Sequence, residues 1–226
     1  GQGGFDTIAH IYDRTLPPHV SEHYLNKRVQ FIAERLKRGP LLDVGGGTGA
    51  LAQRLLERGY DVLGADASLG MLRIYQSRTS TVPVGALAHA LPFRSQTFQG
   101  VVCVALLHHI ARPDVVAASL FEMYRVLGKG GTLVIWDHNP LNPYWPLLMK
   151  KVPQDSGQER LIPLGEICRG LRRAGAVVMV TYRKGFVPDF APPSLLPLMV
   201  RLEQALEAIP VVRDLAAHNV VVVRKE

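Results

Sequence analysis

The sequence has few cysteines and no long apolar run. Cys103 and Cys168 are its only cysteines, too few for a disulfide framework and without metal-ligand spacing, so a reducing, cytoplasmic compartment is expected. No stretch approaches the ~18 uninterrupted apolar residues of a membrane-spanning helix, so no span is expected. The first residues, Gly-Gln-Gly-Gly, are neither basic nor apolar, which predicts no secretory signal.

Acidic residues are absent between Asp66 and Asp114, although four arginines fall in that interval. In total 26 basic residues oppose 19 acidic ones, which gives a net charge of +7. Such a balance is typical of proteins that bind nucleic acid, a membrane surface or an anionic substrate. The sequence has no block of five or more Lys and Arg residues and no alternation of aromatic with basic residues. Nucleic acid is therefore not an expected partner.

The sequence does contain the material for a folded core. Of its 226 residues, 47% are hydrophobic and 20% are charged, and short apolar segments alternate with segments of helical spacing. The predicted strands are residues 41–44, 61–65, 82–86, 101–106, 132–136, 176–183 and 219–224. The predicted helices are residues 24–38, 50–58, 69–78, 114–127, 163–174 and 195–209. This alternation predicts a three-layer α/β fold with a mostly parallel sheet of seven strands, one of them antiparallel.

One domain is expected over residues 1–226. Residues 1–40 are predicted to form an N-terminal helical cap, and residues 41–184 with 218–226 the core. Residues 185–217 are rich in proline, and a connection of this length inside a compact sheet indicates an insertion that caps the core.

The first predicted strand runs into the glycine-rich loop Gly45-Gly46-Gly47-Thr48-Gly49. Ligands of open parallel sheets bind beyond the carboxyl ends of the strands, and glycine lets a ligand lie against bare backbone. Asp66 ends the second strand, where its carboxylate can accept hydrogen bonds from two ribose hydroxyl groups. The loop and Asp66 together predict a site for a nucleoside-containing ligand.

Two classes of such ligand fit the pattern. Gly45, Gly47 and Ala50 satisfy the dinucleotide-binding fingerprint, which alone is weak evidence. Asp43 opposes that interpretation, because a carboxylate two residues before the loop would repel a pyrophosphate in a partly desolvated cleft. The same carboxylate suits S-adenosylmethionine, which carries an ammonium group and a sulfonium and has no phosphate.

Five motifs over residues 41–136 stand in the order typical of one family. They are Leu41 to Gly49, Gly64-Ala65-Asp66-Ala67-Ser68 with Met71, Leu91-Pro92-Phe93, His108-His109-Ile110, and Glu122 to Gly131. The chain therefore resembles the class I S-adenosylmethionine-dependent methyltransferases, in particular the type 11 group that acts on small molecules. The resemblance implies a Rossmann-like fold, S-adenosylmethionine as cofactor and S-adenosylhomocysteine as product. Phe5-Asp6 and Tyr12-Asp13 also resemble the segment that covers the cofactor in such enzymes.

The resemblance also implies a set of cofactor contacts. Asp43 and the glycine loop would hold the methionine part of the cofactor, Asp66 the ribose, and Ala67 with Met71 the adenine. The implied cofactor-binding residues are Tyr12, Asp43, Gly45, Gly46, Gly47, Gly49, Asp66, Ala67, Met71, Leu87, Ala88 and Ala105.

One position departs from the family pattern. The segment before Leu91-Pro92-Phe93 usually supplies an acidic residue to the adenine amino group, but Leu87 stands at that position. The backbone N–H of the following residue, Ala88, remains available to the adenine ring. Since a neutral hydrogen bond contributes about 1 kcal/mol net, we expect weaker adenine recognition with the ammonium and ribose contacts retained.

The candidate catalytic groups follow the fourth and fifth predicted strands. Methyl transfer requires in-line alignment, and it requires a base only when the acceptor loses a proton. His108 and His109 end the fourth strand, and an imidazole can take a proton at neutral pH; Asp137-His138-Asn139 ends the fifth strand as a second polar cluster that faces the same crevice. The candidate catalytic residues are His108, His109, Asp137 and His138.

No metal site is expected from the sequence. His10, His19 and His23 lie near one another in the chain, but no pair combines His-x-x-x-His spacing with a nearby cysteine or carboxylate set oriented to complete a metal site.

The expected activity is methyl transfer to an oxygen, nitrogen or carbon of a small molecule. Apolar residues at 195–200 favour a partly apolar acceptor, and Lys150, Lys151 and Arg160 favour an anionic one. Three alternatives stay open, namely methylation of RNA or protein, an NAD-type oxidoreductase, and a non-catalytic regulator that binds the cofactor.

Overall fold

The computed structural model describes residues 5–6, 9–10, 12–14, 16–145 and 159–226. Seven strands form one sheet, in the spatial order β3-β2-β1-β4-β5-β7-β6. Their bounds are β1 Pro40–Val44, β2 Asp61–Asp66, β3 Val84–Gly85, β4 Phe98–Val104, β5 Leu127–His138, β6 Val178–Lys184 and β7 His218–Arg224.

Six α-helices accompany the sheet among the described residues. They are α1 Pro18–Ala33, α2 Ala50–Leu56, α3 Leu69–Thr79, α4 Pro113–Val126, α5 Leu164–Arg173 and α6 Leu196–Ala208. Short 3-10 helices add single turns at Tyr12–Arg14, Leu107–His109, Pro193–Leu195 and Val212–Leu215. None of the described helices is long and apolar enough to cross a membrane.

The sheet is parallel except at β7. Strands β1, β2, β3, β4 and β5 pair in parallel, and β7 runs antiparallel to both β5 and β6. This topology confirms the predicted three-layer fold with one antiparallel strand. The chain order reverses at β1, so the carboxyl ends of β1 and β4 border the crevice in which ligands of such sheets bind.

Both faces of the sheet are covered by apolar side chains. On one face Leu120 and Met123 of α4 pack on the sheet with Leu171 of α5. On the other face Ile32 of α1 and Leu55 of α2 pack with Trp136, which is completely buried in β5. Burial on both faces explains why the strands read as continuous apolar runs in the sequence.

Several boundaries differ from the sequence prediction. Strand β4 ends at Val104 and not at residue 106, because Ala105 has a φ of 53° and donates its N–H to Trp136 O at 2.8 Å. Helix α1 ends at Ala33, and the hydroxyl of Tyr60 then donates to the carbonyl oxygens of Ala33 and Leu36. Strand β3 keeps only two of its five predicted residues.

Candidate active site

The turn from β1 into α2 is a tight glycine bend. The N–H groups of Gly45 and Gly46 both donate to Ala65 O of β2, which ties the bend to the neighbouring strand. Gly47 has a φ of 55°, and a side chain at this residue would meet no protein atom within 4 Å. The backbone of Gly47 therefore faces open space, where a ligand can approach it.

The other glycines of the bend make room for Tyr75 of α3. A Cβ atom at Gly46 or at Gly49 would lie 2.9 Å from the Tyr75 ring, and one at Gly64 would lie 2.3 Å from it. Tyr75 is completely buried beneath the bend. Sequence reasoning assigned Gly46 and Gly49 to the cofactor, and the structure gives both glycines a packing reason as well.

Asp43 is a buried carboxylate that lacks a partner on one oxygen. Asp43 is 2% exposed near the end of β1, and its Oδ2 has no hydrogen-bond partner in the part of the chain that the structure describes. Burial, with a smaller contribution from the charge of Asp66, raises the pKa of Asp43 to about 7. A ligand ammonium group beside this oxygen would supply the missing donor and the missing positive charge. The residues present thus fit a cationic ligand.

Asp66 lies at the end of β2 and holds the bend from the other side. Its Oδ2 accepts the Gly47 N–H at 2.9 Å, and its Oδ1 accepts the Ser68 N–H at 2.9 Å. Burial raises the pKa of Asp66, and these N–H donors oppose that rise. Each oxygen has a further lone pair, so the carboxylate can still accept from two ribose hydroxyl groups.

The N-terminal segment lies against the ends of β1 and β2. Asp6 accepts hydrogen bonds from the Ser68 hydroxyl at 2.6 Å and from the Gly70 N–H at 2.7 Å. Asp13 accepts from the Thr48 hydroxyl at 2.8 Å and pairs with Arg78. These contacts hold the segment next to the predicted cofactor site.

A cleft of about 520 Å³ opens beside the glycine bend. It is lined by nine of the residues predicted from the sequence. They are Tyr12, Asp43, Gly45, Gly46, Gly47, Ala105, His108, His109 and His138. The other predicted site residues lie outside the lining of this cleft. They are Gly49, Asp66, Ala67, Met71, Leu87, Ala88 and Asp137.

The residues predicted to surround the adenine differ in how far they are exposed to solvent. Met71 is 2% exposed in α3, whereas Leu87 is 40% exposed and forms an isolated bridge with Ala90. The neighbouring Leu91-Pro92-Phe93 motif is fixed to α4, because Glu122 accepts the Leu91 N–H and Arg125 donates to Phe93 O. The motif therefore has a structural role in joining this loop to the core.

Asp137 and His108 form a buried pair at the ends of β5 and β4. His108 Nδ1 lies 2.6 Å from Asp137 Oδ1, which also accepts the His138 N–H at 2.7 Å. Asp137 Oδ2 accepts the Leu107 N–H at 2.6 Å. Although burial acts to raise it, the pKa of Asp137 is lowered by the charge and hydrogen bond of His108. Asp137 thus orients His108 toward the cleft that His108 lines.

The neighbouring imidazoles form a ring stack. His138 stacks between His108 and Trp145, with ring centroids 4.0 Å and 3.7 Å apart. Burial lowers the pKa of His138, and burial followed by the charge of His108 lowers the pKa of His109 to about 3. Both rings are therefore neutral at physiological pH and are poor proton acceptors.

The ligand atoms of His108, Asp137 and His138 all lie within 4.8 Å of one another, as a metal site would require. Arg28 lies close enough for its charge to lower the pKa of His138 further, after burial and the charges of His108 and His218. That positive charge disfavours a divalent cation at this position. Of the N-terminal histidines, His19 contacts Ala191 O and His23 contacts Glu203, so both bind the 185–217 segment.

Two charged residues of the cleft were missed by sequence reasoning. Arg28 of α1 has a buried Nε without a hydrogen-bond partner, and no ion pair among the described residues includes it. Asp189 has a buried Oδ2 that no described residue pairs with, and burial raises the pKa of this carboxyl group to about 6. Both side chains line the same cleft as Asp43. Neither residue belongs to a sequence motif, so the sequence held no signal for them.

Arg160, which was predicted to attract an anionic acceptor, does not line this cleft. Arg160 forms two hydrogen bonds with Glu166, at 2.8 Å and 2.7 Å, so its guanidinium is already paired. Lys150 and Lys151 lie outside the described residues.

Comparison with known families and proteins gives consistent matches. Residues 42–135 match the family described as "Methyltransferase domain". A demethylmenaquinone methyltransferase of Thermobifida fusca is 33% identical over 150 residues, which cover 62% of this chain and 62% of that protein. A tRNA (carboxymethyluridine(34)-5-O)-methyltransferase of Xenopus tropicalis is 27% identical over 143 residues, 60% of this chain and 22% of that protein.

A solved structure extends the likeness to the whole chain. The crystal structure of a SAM-dependent methyltransferase from Thermotoga maritima superposes with a TM-score of 0.76 at 19% identity, over 100% of this chain and 99% of that one. At this identity the likeness shows a shared fold. Among the curated relatives, the chain spans between 49% and 62% of the length of the first three it matches.

Proposed function

We propose that this chain, which belongs to the class I S-adenosylmethionine-dependent methyltransferases, transfers a methyl group from S-adenosylmethionine to a small-molecule acceptor. One observation carries the proposal. The cleft beside the glycine bend holds a buried carboxylate, Asp43, and a half-buried arginine, Arg28, and the buried Oδ2 of the first and Nε of the second have no hydrogen-bond partner among the described residues. An amino-acid tail with an ammonium and a carboxylate complements both charges.

The residues around the bend divide the cofactor between them in this proposal. Asp43 receives the ammonium group, Arg28 the carboxylate and Asp66 the ribose hydroxyl groups. Tyr12 and the N-terminal segment close the site from above and exclude water. When bound, the cofactor supplies an electrophilic methyl group on a sulfonium, so the chain's main task is to align the acceptor with it.

His108 is the proposed proton acceptor when the methylated atom carries a proton. Its ring lines the cleft, and Asp137 fixes its orientation through Nδ1. The neutral His109 and His138 act as walls of the acceptor site. Asp137 is a positioning residue, since it acts through His108.

A small acceptor is favoured by the size and position of the cleft. Its volume of about 520 Å³ lies beneath the N-terminal segment and is lined by aromatic rings such as Tyr24 and Trp145. The demethylmenaquinone methyltransferase relatives act on a small molecule by name. A cytoplasmic location is part of this proposal, in keeping with the unpaired, buried Cys103 and Cys168.

Thermal unfolding with two ligands tests the proposed cofactor. S-adenosylhomocysteine should raise the melting temperature, whereas NAD should not, because only a ligand of the native state stabilises it. Arg28→Gln should reduce the rise, while Arg54→Gln, which removes a cleft arginine already paired with Glu22, should leave it unchanged. A rise with NAD alone would contradict the proposal and support the oxidoreductase alternative.

RNA methylation is a second candidate function, favoured by the net charge of +7 and by the tRNA methyltransferase relative. Binding of this kind weakens steeply with salt, because basic side chains release counterions from the phosphates. A mobility shift of tRNA at low salt that disappears at high salt would support RNA as the acceptor. Absence of any mobility shift at low salt would exclude RNA as the acceptor.

A further inference from the structure

Asp189 lies in the 185–217 segment, which forms a wall of the cleft. It shares that wall with Val187, whose N–H donates to the buried Glu203 of α6. The Ala191 N–H donates to Pro188 O at 3.0 Å, so a hydrogen-bonded turn encloses Asp189. The backbone that carries this carboxylate is thus fixed on both sides.

The Asp189 carboxylate has no counter-charge among the described residues. Its Oδ2 is buried without a hydrogen-bond partner, and none of the ion pairs of the described chain includes it. Two arginines of the cleft are paired elsewhere, Arg54 with Glu22 and Arg78 with Asp13. Arg28 does not act on the pKa of Asp189, which is raised by burial alone.

Two tyrosines of the cleft, Tyr24 and Tyr144, lie near Asp189. The charge of Asp189 acts on the hydroxyl groups of Tyr24 and Tyr144 and contributes to the raised pKa of each, after burial. Tyr24 cannot serve as the missing donor, because its hydroxyl donates to Val187 O at 2.6 Å. An anionic group bordered by aromatic rings is the kind of surrounding that favours an organic cation.

The position of Asp189 separates it from the cofactor contacts. Asp43 and Asp66 end β1 and β2, whereas the 185–217 segment connects β6 to β7 on the other side of the sheet. The cleft between them also contains His138 and His218, at the ends of β5 and β7. Asp189 therefore belongs to the half of the cleft left for the acceptor.

We propose that Asp189 binds a protonated amine of the methyl acceptor, which places the substrates among small aliphatic or aromatic amines. The inference rests on the proposed function, because it assigns the acceptor of that same reaction. Asp189 holds the amine as its ammonium form, and one proton of that ammonium passes to His108, the proton acceptor of the proposed function. The freed nitrogen lone pair then forms the N–C bond as the C–S bond of the bound sulfonium breaks, and the electron pair of that bond stays on sulfur.

This assignment is tested by the binding of three probe molecules, which differ in charge, to the protein saturated with S-adenosylhomocysteine. Benzylamine, benzyl alcohol and benzoate present the same ring with an ammonium, a hydroxyl and a carboxylate. Benzylamine should bind at millimolar concentration, and Asp189→Asn should weaken it by about tenfold, the loss expected for one charge-assisted contact. Asp214→Asn, which alters an exposed acid of the same segment paired with Arg183, should leave the affinity unchanged.

The outcomes distinguish failure of the amine assignment from failure of the proposed methyltransferase function. Affinity for S-adenosylhomocysteine is measured first in each protein. If the unaltered protein does not bind S-adenosylhomocysteine, the proposed function itself is wrong. If the cofactor product binds but benzylamine does not, or if Asp189→Asn leaves its affinity unchanged, the amine assignment is wrong. Stronger binding of benzyl alcohol or benzoate than of benzylamine would likewise overturn it.

Discussion

Asp43 and Asp66 show how two carboxylates a few ångströms from one bend acquire different tasks. Asp66 accepts two backbone N–H groups and keeps the bend in shape. Asp43 is more deeply buried and keeps one oxygen without a donor. A buried polar atom without a partner costs free energy, which a ligand recovers when it supplies the donor. At the scale of single residues, the Oδ2 of Asp43 that lacks a donor therefore favours binding of a cofactor that supplies one.

The raised pKa of Asp43 predicts a pH-dependent cost to stability. Its folded pKa of about 7 exceeds the ordinary value of 3.8, so between these values the folded state holds a proton that the unfolded state has released. Stability from this group is thus fully present below pH 3.8 and is lost as the pH rises through about 7. Asp43→Asn should gain about 2 to 4 kcal/mol relative to the parent across that window.

Urea unfolding of both proteins without ligand, at several pH values, measures this difference. The paired design cancels the titration of the buried histidines, which the two proteins share. A difference that stays constant with pH would show that Asp43 does not titrate in this range.

Asp66 should contribute directly to affinity for the cofactor product. Asp66→Ala removes the acceptor proposed for the ribose hydroxyl groups and should weaken S-adenosylhomocysteine binding at least several-fold in calorimetry. Asp61→Ala is a matched control, because Asp61 is exposed at the opposite end of the same strand. Equal affinities of Asp66→Ala and the parent would refute the ribose assignment.

Helices α1 and α6 are joined by a buried ionic network that fixes one wall of the cleft. Glu203 of α6 is 1% exposed, pairs with Lys27 and His23 of α1, and accepts the N–H groups of Phe186 and Val187. Burial acts to raise the pKa of Glu203, but the hydrogen bond from His23 and the charge of Lys27 lower it to about 2. At the scale of elements, this residue connects the α1–α6 contact to the segment that carries Asp189.

Glu203→Gln should destabilise the protein by about 3 kcal/mol, because it leaves the partly buried Lys27 with one fewer counter-charge. Glu57→Gln, which alters an exposed pair with Arg54, should change stability by less than about 0.5 kcal/mol. Because the folded pKa of Glu203 is depressed, its contribution should be complete above pH 4.5 and lost as the pH falls toward about 2. Urea unfolding as a function of pH measures both effects, and a loss no larger than that of Glu57→Gln would contradict the role of this network.

Sequence reasoning predicted the features that are determined by residues close together in the chain. The glycine bend, Asp43 and Asp66 were predicted because a strand, a turn and a helix follow one another in the chain and fix where these residues lie. Arg28 and Asp189 could not be predicted, because what distinguishes them is the lack of a partner in the folded protein. The close packing of Gly46 and Gly49 against Tyr75 could not be predicted either, because the ring belongs to a later helix.

At the scale of the whole molecule, the order of the strands separates two chemical environments along one cleft. The ends of β1 and β2 carry Asp43 and Asp66, the carboxylates proposed to receive the cofactor. The cleft is lined farther along the sheet by the neutral imidazoles of His109, His138 and His218. The 185–217 segment then adds Asp189 to the second environment. This division places cofactor and acceptor side by side, as a direct transfer between them requires.

The pairing of Asp43 with a ligand ammonium group is tested most directly by calorimetry with two ligands and two proteins. S-adenosylhomocysteine and its desamino analogue are titrated into the parent protein and into Asp43→Asn. Removing the ammonium should weaken binding to the parent by about tenfold or more and should have little effect on Asp43→Asn, because the partner is already gone. Equal losses in both proteins would show that Asp43 does not recognise the amino-acid tail.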